Sequence, residues 1–385
     1  MTNNPNLKTR RQFLAGAGLT LGAIGAGGLL SACSSGGGSG SSGSGGGSGD
    51  KLKAAFVYIG PTGDAGWTGR HDAGRKMLQK KLGDKVETSF VENVAEGATA
   101  QRTFEDLARK GNGLVFGTSF GYMDSMLAAA KKYPDTVFMH ATGFKTAKNL
   151  GTYAGGAEQA SYLAGIAAGK AAKDGKMGYL APFPIPEVIR GLNALMLGAR
   201  SVNPDATMQV VWTSTWFDPD KEKQAAQGLT NSGVDVIGMQ QDSPAAGKVA
   251  QDAGDKWVGF NDDMQRFAPK AWLTGPMWNW GPFYVKTAKQ VLNNTWKSEQ
   301  YYGGMDDGLV QLAPFGDSVD ADTKKMIEEE KQATIDGDFH AFQGPVKDQD
   351  GKVRIPKGKT ASLDDLLSMD YLVEGVIGKI PKNAG

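Results

Sequence analysis

From Lys51 onward the chain alternates short apolar runs with helical stretches, and it passes through that alternation twice. The runs Lys53–Gly60, Val86–Val91, Gly113–Gly117 and Thr136–His140 are separated by helical patterns at Trp67–Lys81, Ala100–Lys110 and Tyr122–Lys132. The rhythm restarts with a helix over 159–173, followed by the strand Lys176–Leu180, a helix over 186–200, Met208–Thr213, a helix over 219–231, Val234–Gly238, a helix over 243–252 and Trp257–Phe260. Strands separated by helices of about 10–15 residues form right-handed βαβ units and a parallel sheet. The pattern predicts an α/β protein of two doubly wound lobes.

That topology places a binding site before any motif is considered. Ligands of open parallel sheets lie beyond the carboxyl ends of the strands. Those ends carry Gly60–Trp67, Glu92-Asn93, Thr118–Tyr122, His140–Thr142, Ala181–Glu187, Ser214–Asp218, Gln240–Ser243 and Asn261–Asp263. Many glycines of the body, such as Gly60, Gly66, Gly117 and Gly143, fall in these loops, where tight turns are expected. Trp67 and Trp216 occupy corresponding places in the two halves. Facing each other across a cleft, two indoles would hold a flat ring by its faces, with Phe217 in reserve for Trp216. Ser119, Thr142, Gln241, Asp242, Asn261, Asp262 and Asp263 offer polar edges. Asp64 and Thr68 of the first loop, Phe120 and Trp278 complete the candidate set. Each polar residue also has an ordinary role as a cap or turn residue, and Asp218 before Pro219 reads as an N-cap. His140 reads as a ligand contact or a satisfied structural residue.

Composition excludes several chemistries. With 42 Lys+Arg against 41 Asp+Glu, no basic excess points to nucleic acid. One cysteine and three histidines (His71, His140, His340), far apart in sequence, argue against a metal centre. The loop Gly63–Thr68 lacks G-x-G-x-x-G and Gly-Lys-Ser/Thr, so no nucleotide cofactor is signalled, and no cofactor of any kind is expected. Neither a G-x-S-x-G elbow nor an H-E-x-x-H pair is present, and the pattern points to binding rather than catalysis.

The first 32 residues read as an export signal. Lys8, Arg10 and Arg11 precede a Gly/Ala/Leu stretch too weakly apolar for a membrane span. Thr9–Leu14 resembles a twin-arginine signal, with an ordinary Sec signal as the alternative. Leu30-Ser31-Ala32-Cys33 resembles a bacterial lipobox, which makes Cys33 the expected lipidation site and the mature N-terminus. Residues 34–49 are only Ser and Gly, so 33–50 is expected to be a lipid-anchored flexible tether on the extracytoplasmic side, at the periplasmic face or the cell surface. Such a coil reaches about 20–24 Å.

Several segments together resemble the basic-membrane-protein family of ABC-transporter substrate-binding lipoproteins, whose best-known members are purine nucleoside receptors. Gly63–Thr68 is similar to the family's D-x-S-F-N segment, Glu158–Gly165 to E-x-S-F-L-A-G, and Ser214–Pro219 to S-F-x-D-P. Phe342–Val346, Met369–Tyr371 and Gly375–Pro381 are similar to its tail. The resemblance implies a type I periplasmic-binding-protein fold with three crossings between lobes. The expected N-lobe is 51–155 plus 278–298, and the expected C-lobe is 156–277 plus 299–385. It further implies a purine stacked between Trp67 and Trp216, an ABC permease as partner, and a monomer. The family's nucleoside binders carry Phe-Asn where this chain has Trp67-Thr68, and a lysine that the stretch Thr274–Trp280 lacks. These departures favour a purine nucleobase such as adenine. A nucleoside, another heterocycle, a sugar, or a nucleoside-processing enzyme are the alternatives.

Overall fold

A computed structural model describes residues 51–382, so the expected export signal, Cys33 and the expected tether lie outside the described residues. The first sheet is built from β1 (Leu52–Val57), β2 (Val86–Val91), β3 (Leu114–Gly117), β4 (Val137–Ala141) and β5 (Leu150–Gly155). Between them lie α1 (Trp67–Leu82), α2 (Ala98–Arg109) and α3 (Met123–Lys132). The inner strands β3 and β5 are buried along their whole length, as a sheet covered on both faces requires. The edge strand β2 instead exposes Phe90 and Val91. α2 shows how the covering works: Ala100, Phe104, Leu107 and Ala108 recur on one face and are buried, and the other face is polar.

The chain then enters α4 (Ala157–Ala171) and builds a second sheet from β6 (Lys176–Ala181), β7 (Thr207–Trp212), β8 (Val236–Met239), β9 (Lys256–Val258) and β10 (Trp272–Thr274). Helices α5 (Pro186–Val202), α6 (Pro219–Asn231) and α7 (Ala245–Ala253) connect them. α4 and α5 pack closely because two glycines remove side-chain bulk. A Cβ on Gly198 would lie 1.9 Å from the Tyr162 carbonyl oxygen, and one on Gly165 would lie 2.2 Å from that of Leu195.

Beyond β11 (Pro276–Trp278), α8 (Gly281–Leu292) returns to pack on α1, and β12 (Gln300–Gly303) pairs in parallel with β5. β13 (Val310–Leu312) pairs with β11, and α9 (Ala321–Asp336) lies against α4. β14 (Val346–Lys347), β15 (Val353–Ile355) and α10 (Leu363–Leu367) lead to β16 (Val376–Ile377), which pairs with β7. Both sheets are six-stranded, with orders β12-β5-β4-β3-β1-β2 and β10-β9-β8-β6-β7-β16, and every pairing in them is parallel. The chain passes between the sheets three times, so the two lobes and three crossings are present.

Three details differ from the sequence reading. β12 belongs to the first sheet, which extends the N-lobe past 298 to Gly303. β5 was not expected, because Leu150–Gly155 holds two glycines; Gly155 is needed there, since a Cβ would lie 2.4 Å from the Trp278 ring. β10 was not expected either, and it forms the outer edge of the second sheet beside β9.

Candidate functional site

The two sheets share one winding. In each, the connections reverse direction beside the first strand, between β1 and β3 in one lobe and between β6 and β8 in the other. Such a reversal leaves a crevice at the strand ends. Between the lobes lies a slot lined by Ile59 and Trp67 after β1, Ser119 and Phe120 after β3, and Thr142 after β4. The facing wall supplies Glu187 after β6, Trp216 after β7, Gln240 and Asp242 after β8, and Phe260 and Asn261 after β9. The slot holds about 390 Å³ free of protein atoms, counting its open mouth.

Trp67 is held rigidly. Its indole N–H donates to the Thr118 carbonyl at 2.6 Å. Trp278 and Trp280 stack on each other at 4.8 Å, and both meet Trp67 edge-on, at 5.9 and 5.6 Å. Trp216 packs against Phe183 at 5.1 Å, and its carbonyl accepts the Asp242 N–H. Trp278 therefore braces Trp67 from behind and does not line the slot. Its indole N–H donates to Asn261 Oδ1 at 2.7 Å.

Two carboxyl groups converge on the N-terminus of α1, whose first N–H groups have no partner within the helix. Asp64 accepts from the N–H groups of Gly66, Thr68 and Gly69 at 3.2, 3.0 and 2.6 Å. Asp242 reaches across from the other lobe to accept the Trp67 N–H at 3.1 Å, and it also accepts from Asn261 Nδ2 at 2.7 Å. The positive end of the helix dipole favours both. Burial and the nearby Asp64 nevertheless hold the Asp242 carboxyl well above the usual range. Burial also raises Asp64, against the lowering effect of its backbone donors.

Of the expected ligand contacts, Trp67, Trp216, Ser119, Phe120, Thr142, Asp242 and Asn261 line the slot. Asp64 and Thr68 belong to the helix cap beside it. Asp263 accepts the Gln265 N–H at 3.0 Å and closes a local turn. Asp262 pairs with Arg70 at 3.2 Å, while Arg70 Nε donates to the Trp278 carbonyl at 2.8 Å. Gln241 is taken up by Thr213 and Thr215. His140 is buried, and its Nε2 bonds the Ser119 carbonyl at 2.7 Å, fixing the loop. Burial keeps its pKa down at about 4, so the ring is neutral.

Ile59, Glu187, Gln240 and Phe260 also line the slot and were not among the expected contacts. Left-handed backbone occurs at Asn93, Thr142, Ser214 and Asn261, each just past a strand end, and not at Gly60, Gly66, Gly117 or Gly143. Thr142 has φ of 61° and Asn261 has φ of 72°, and both line the slot. A β-branched residue there is strained, and such strain concentrates at functional sites.

Comparison with known proteins identifies the relatives of this chain. The family described as ABC transporter substrate-binding protein PnrA-like matches residues 51–338. A purine-binding protein of Brucella abortus is 49% identical over 333 residues, spanning 86% of this chain and 95% of its own. A Haloferax volcanii protein named an ABC transporter glucose-binding protein is 38% identical over 334 residues, spanning 86% of this chain and 82% of its own. Among solved structures, an ABC transporter solute-binding protein of Aeropyrum pernix superposes with a TM-score of 0.66 at 16% identity, covering 77% of this chain and 93% of that one. The last similarity speaks to fold alone. The chain belongs to the PnrA-like, basic-membrane-protein family of ABC-transporter substrate-binding proteins.

Proposed function

We propose that this protein captures a purine nucleobase, adenine or a close relative, between Trp67 and Trp216, and delivers it to an ABC permease. The observation that carries this reading is how few polar groups of the slot remain free. Ser119 Oγ donates to Glu96 at 2.6 Å, and Thr142 Oγ1 donates to the Ala141 carbonyl at 2.7 Å. Asn261 and Asp242 bond each other and their neighbours. What faces the ligand is mostly Trp67, Trp216, Phe120, Phe260 and Ile59. A sugar needs a partner for nearly every hydroxyl, whereas a flat base needs two faces and a few edge contacts. No lysine or arginine lines the slot, which suits an uncharged ligand better than a phosphate ester. The Brucella relative's name supports the purine class.

Ligand between the lobes would favour the closed arrangement, and that shape is what a permease can distinguish from the open one. In this reading the body works as a monomer, lipid-anchored through Cys33 on the extracytoplasmic face by the 34–49 tether. The Haloferax relative favours a second reading, in which the indoles stack on a hexose. Calorimetry with adenine, guanine, hypoxanthine, adenosine and glucose separates them. Purine binding with no heat from glucose is expected; glucose binding with no purine binding overturns the proposal.

A further inference from the structure

The slot is not uniformly satisfied. At one end stands Glu187, partly buried in the first turn of α5, with no hydrogen-bond donor among the described residues. One turn on, Arg190 is 3% exposed and gives its Nε–H to Glu158 Oε2 at 3.2 Å. Glu158 also accepts from Tyr302 Oη at 2.9 and 3.0 Å. Arg190 thus turns its Nε to Glu158 and forms no ion pair with Glu187 among the described residues, and the Glu187 carboxyl lines the slot. Burial raises its pKa, Arg190 opposes that, and Glu158 adds to it, as expected of a carboxyl short of partners.

A second, independent observation falls at the same end. Gln240 is 4% exposed, lines the slot, and its Oε1 has no partner. That oxygen lies 2.9 Å from where a Cβ on Gly191 would stand. Gly191 is four residues beyond Glu187 on α5, so the two positions share a helix face. A carboxyl that only accepts and an amide that both accepts and donates thus sit together at the slot's end. Leaving the carboxylate and the amide oxygen without donors is unfavourable, and a ligand amine, which carries two N–H donors, would satisfy both.

We infer that Glu187 and Gln240 form the edge-reading pair of the slot and select purines bearing an exocyclic amine, with Glu187 and Gln240 Oε1 each accepting one N–H of that amine. The inference rests on the purine reading above. It predicts selection by donors, so the amine of adenine contributes through Glu187 and a 6-oxo group in its place is disfavoured.

The test is a coupling cycle by calorimetry, using adenine, unsubstituted purine and hypoxanthine against the full-length protein and its Glu187→Met variant. Hydrogen bonds to charged groups are strong enough that the wild type is expected to favour adenine over purine by about ten- to a hundredfold. In E187M that preference should fall below about threefold. Gln240→Met, which keeps volume without the amide, is the independent check and should weaken adenine about tenfold. Thermal melts confirm folding of both variants. A wild type that prefers hypoxanthine, an adenine-to-purine ratio untouched by E187M, or adenine binding untouched by Q240M overturns the inference while leaving the purine reading standing. A wild type that binds no purine overturns both.

Discussion

The backbone N–H of Trp67 donates to Oδ1 of Asp242 at 3.1 Å, so a residue of one lobe caps the first helix of the other. The contact is possible because Gly66 has no side chain: a Cβ there would lie 2.8 Å from both Cα and Oδ1 of Asp242. The two lobes therefore meet directly at the backbone of the first indole.

Gly66→Ala should accordingly keep the lobes from meeting. Cα of Asp242 is backbone and cannot swing aside as a side-chain tip would. Ligand affinity should fall at least about tenfold, the scale of one lost charged hydrogen bond, with little change in melting temperature. Calorimetry with a thermal melt checks this, and small-angle scattering should show a larger radius with ligand than the wild type has.

The indoles should matter unequally for stability but together for binding. Trp216→Ala removes one stacking face from a partly buried residue and should weaken purine binding by roughly 1–3 kcal/mol, the usual worth of base–aromatic stacking. Trp67→Ala should cost a similar amount of binding and also lower the melting temperature, because Trp67 packs on His71, Trp278 and Trp280. Quenching of tryptophan fluorescence on titration gives the binding readout.

The buried pair Arg190–Glu158 joins α5 to α4, and Tyr302 brings β12 of the other lobe onto the same carboxylate. Arg190→Met leaves Glu158 buried without its cation, and removing one partner of such a pair costs about 3–5 kcal/mol. Urea unfolding of the variant should show that loss.

Glu222 gives a pH signature. It is buried, and burial pushes its carboxyl up to about 7 despite the N–H of Asp218 and the hydroxyl of Ser243. A group that holds its proton more tightly when folded destabilises the fold as pH rises from its ordinary value, 4.5, to about 7. Its full cost, at most about 3 kcal/mol, is present above that window. Glu222→Gln should therefore make unfolding free energy fall less between pH 5 and pH 8 than it does in the wild type.

Much of this was legible in the sequence because period and topology are strong signals. Seven helical patterns and most strands of both sheets followed from apolar runs, and the cleft followed from where those strands end. What escaped was finer than that. Gln241 was singled out and Gln240 was not, yet in extended chain neighbours face opposite sides, and Gln240 is the one that meets the slot. Glu187 ends the strand-end loop 181–187 and stands in the first turn of α5 after Pro186, where an acid is ordinary. That it lacks a donor is a matter of tertiary contacts: Arg190, one turn on, bonds Glu158, 32 residues away in sequence. Glycines suggested the tight turns of the cleft loops, but in those loops the positive φ angles fall on Asn93, Thr142, Ser214 and Asn261.

A crystal structure of the protein grown with adenine tests most directly whether a purine is held face-on by Trp67 and Trp216. The base is expected between the two indoles, with its amine edge toward Glu187 and Gln240. Adenine bound elsewhere, or a slot filled by a sugar retained from the expression host while adenine is excluded, would contradict it.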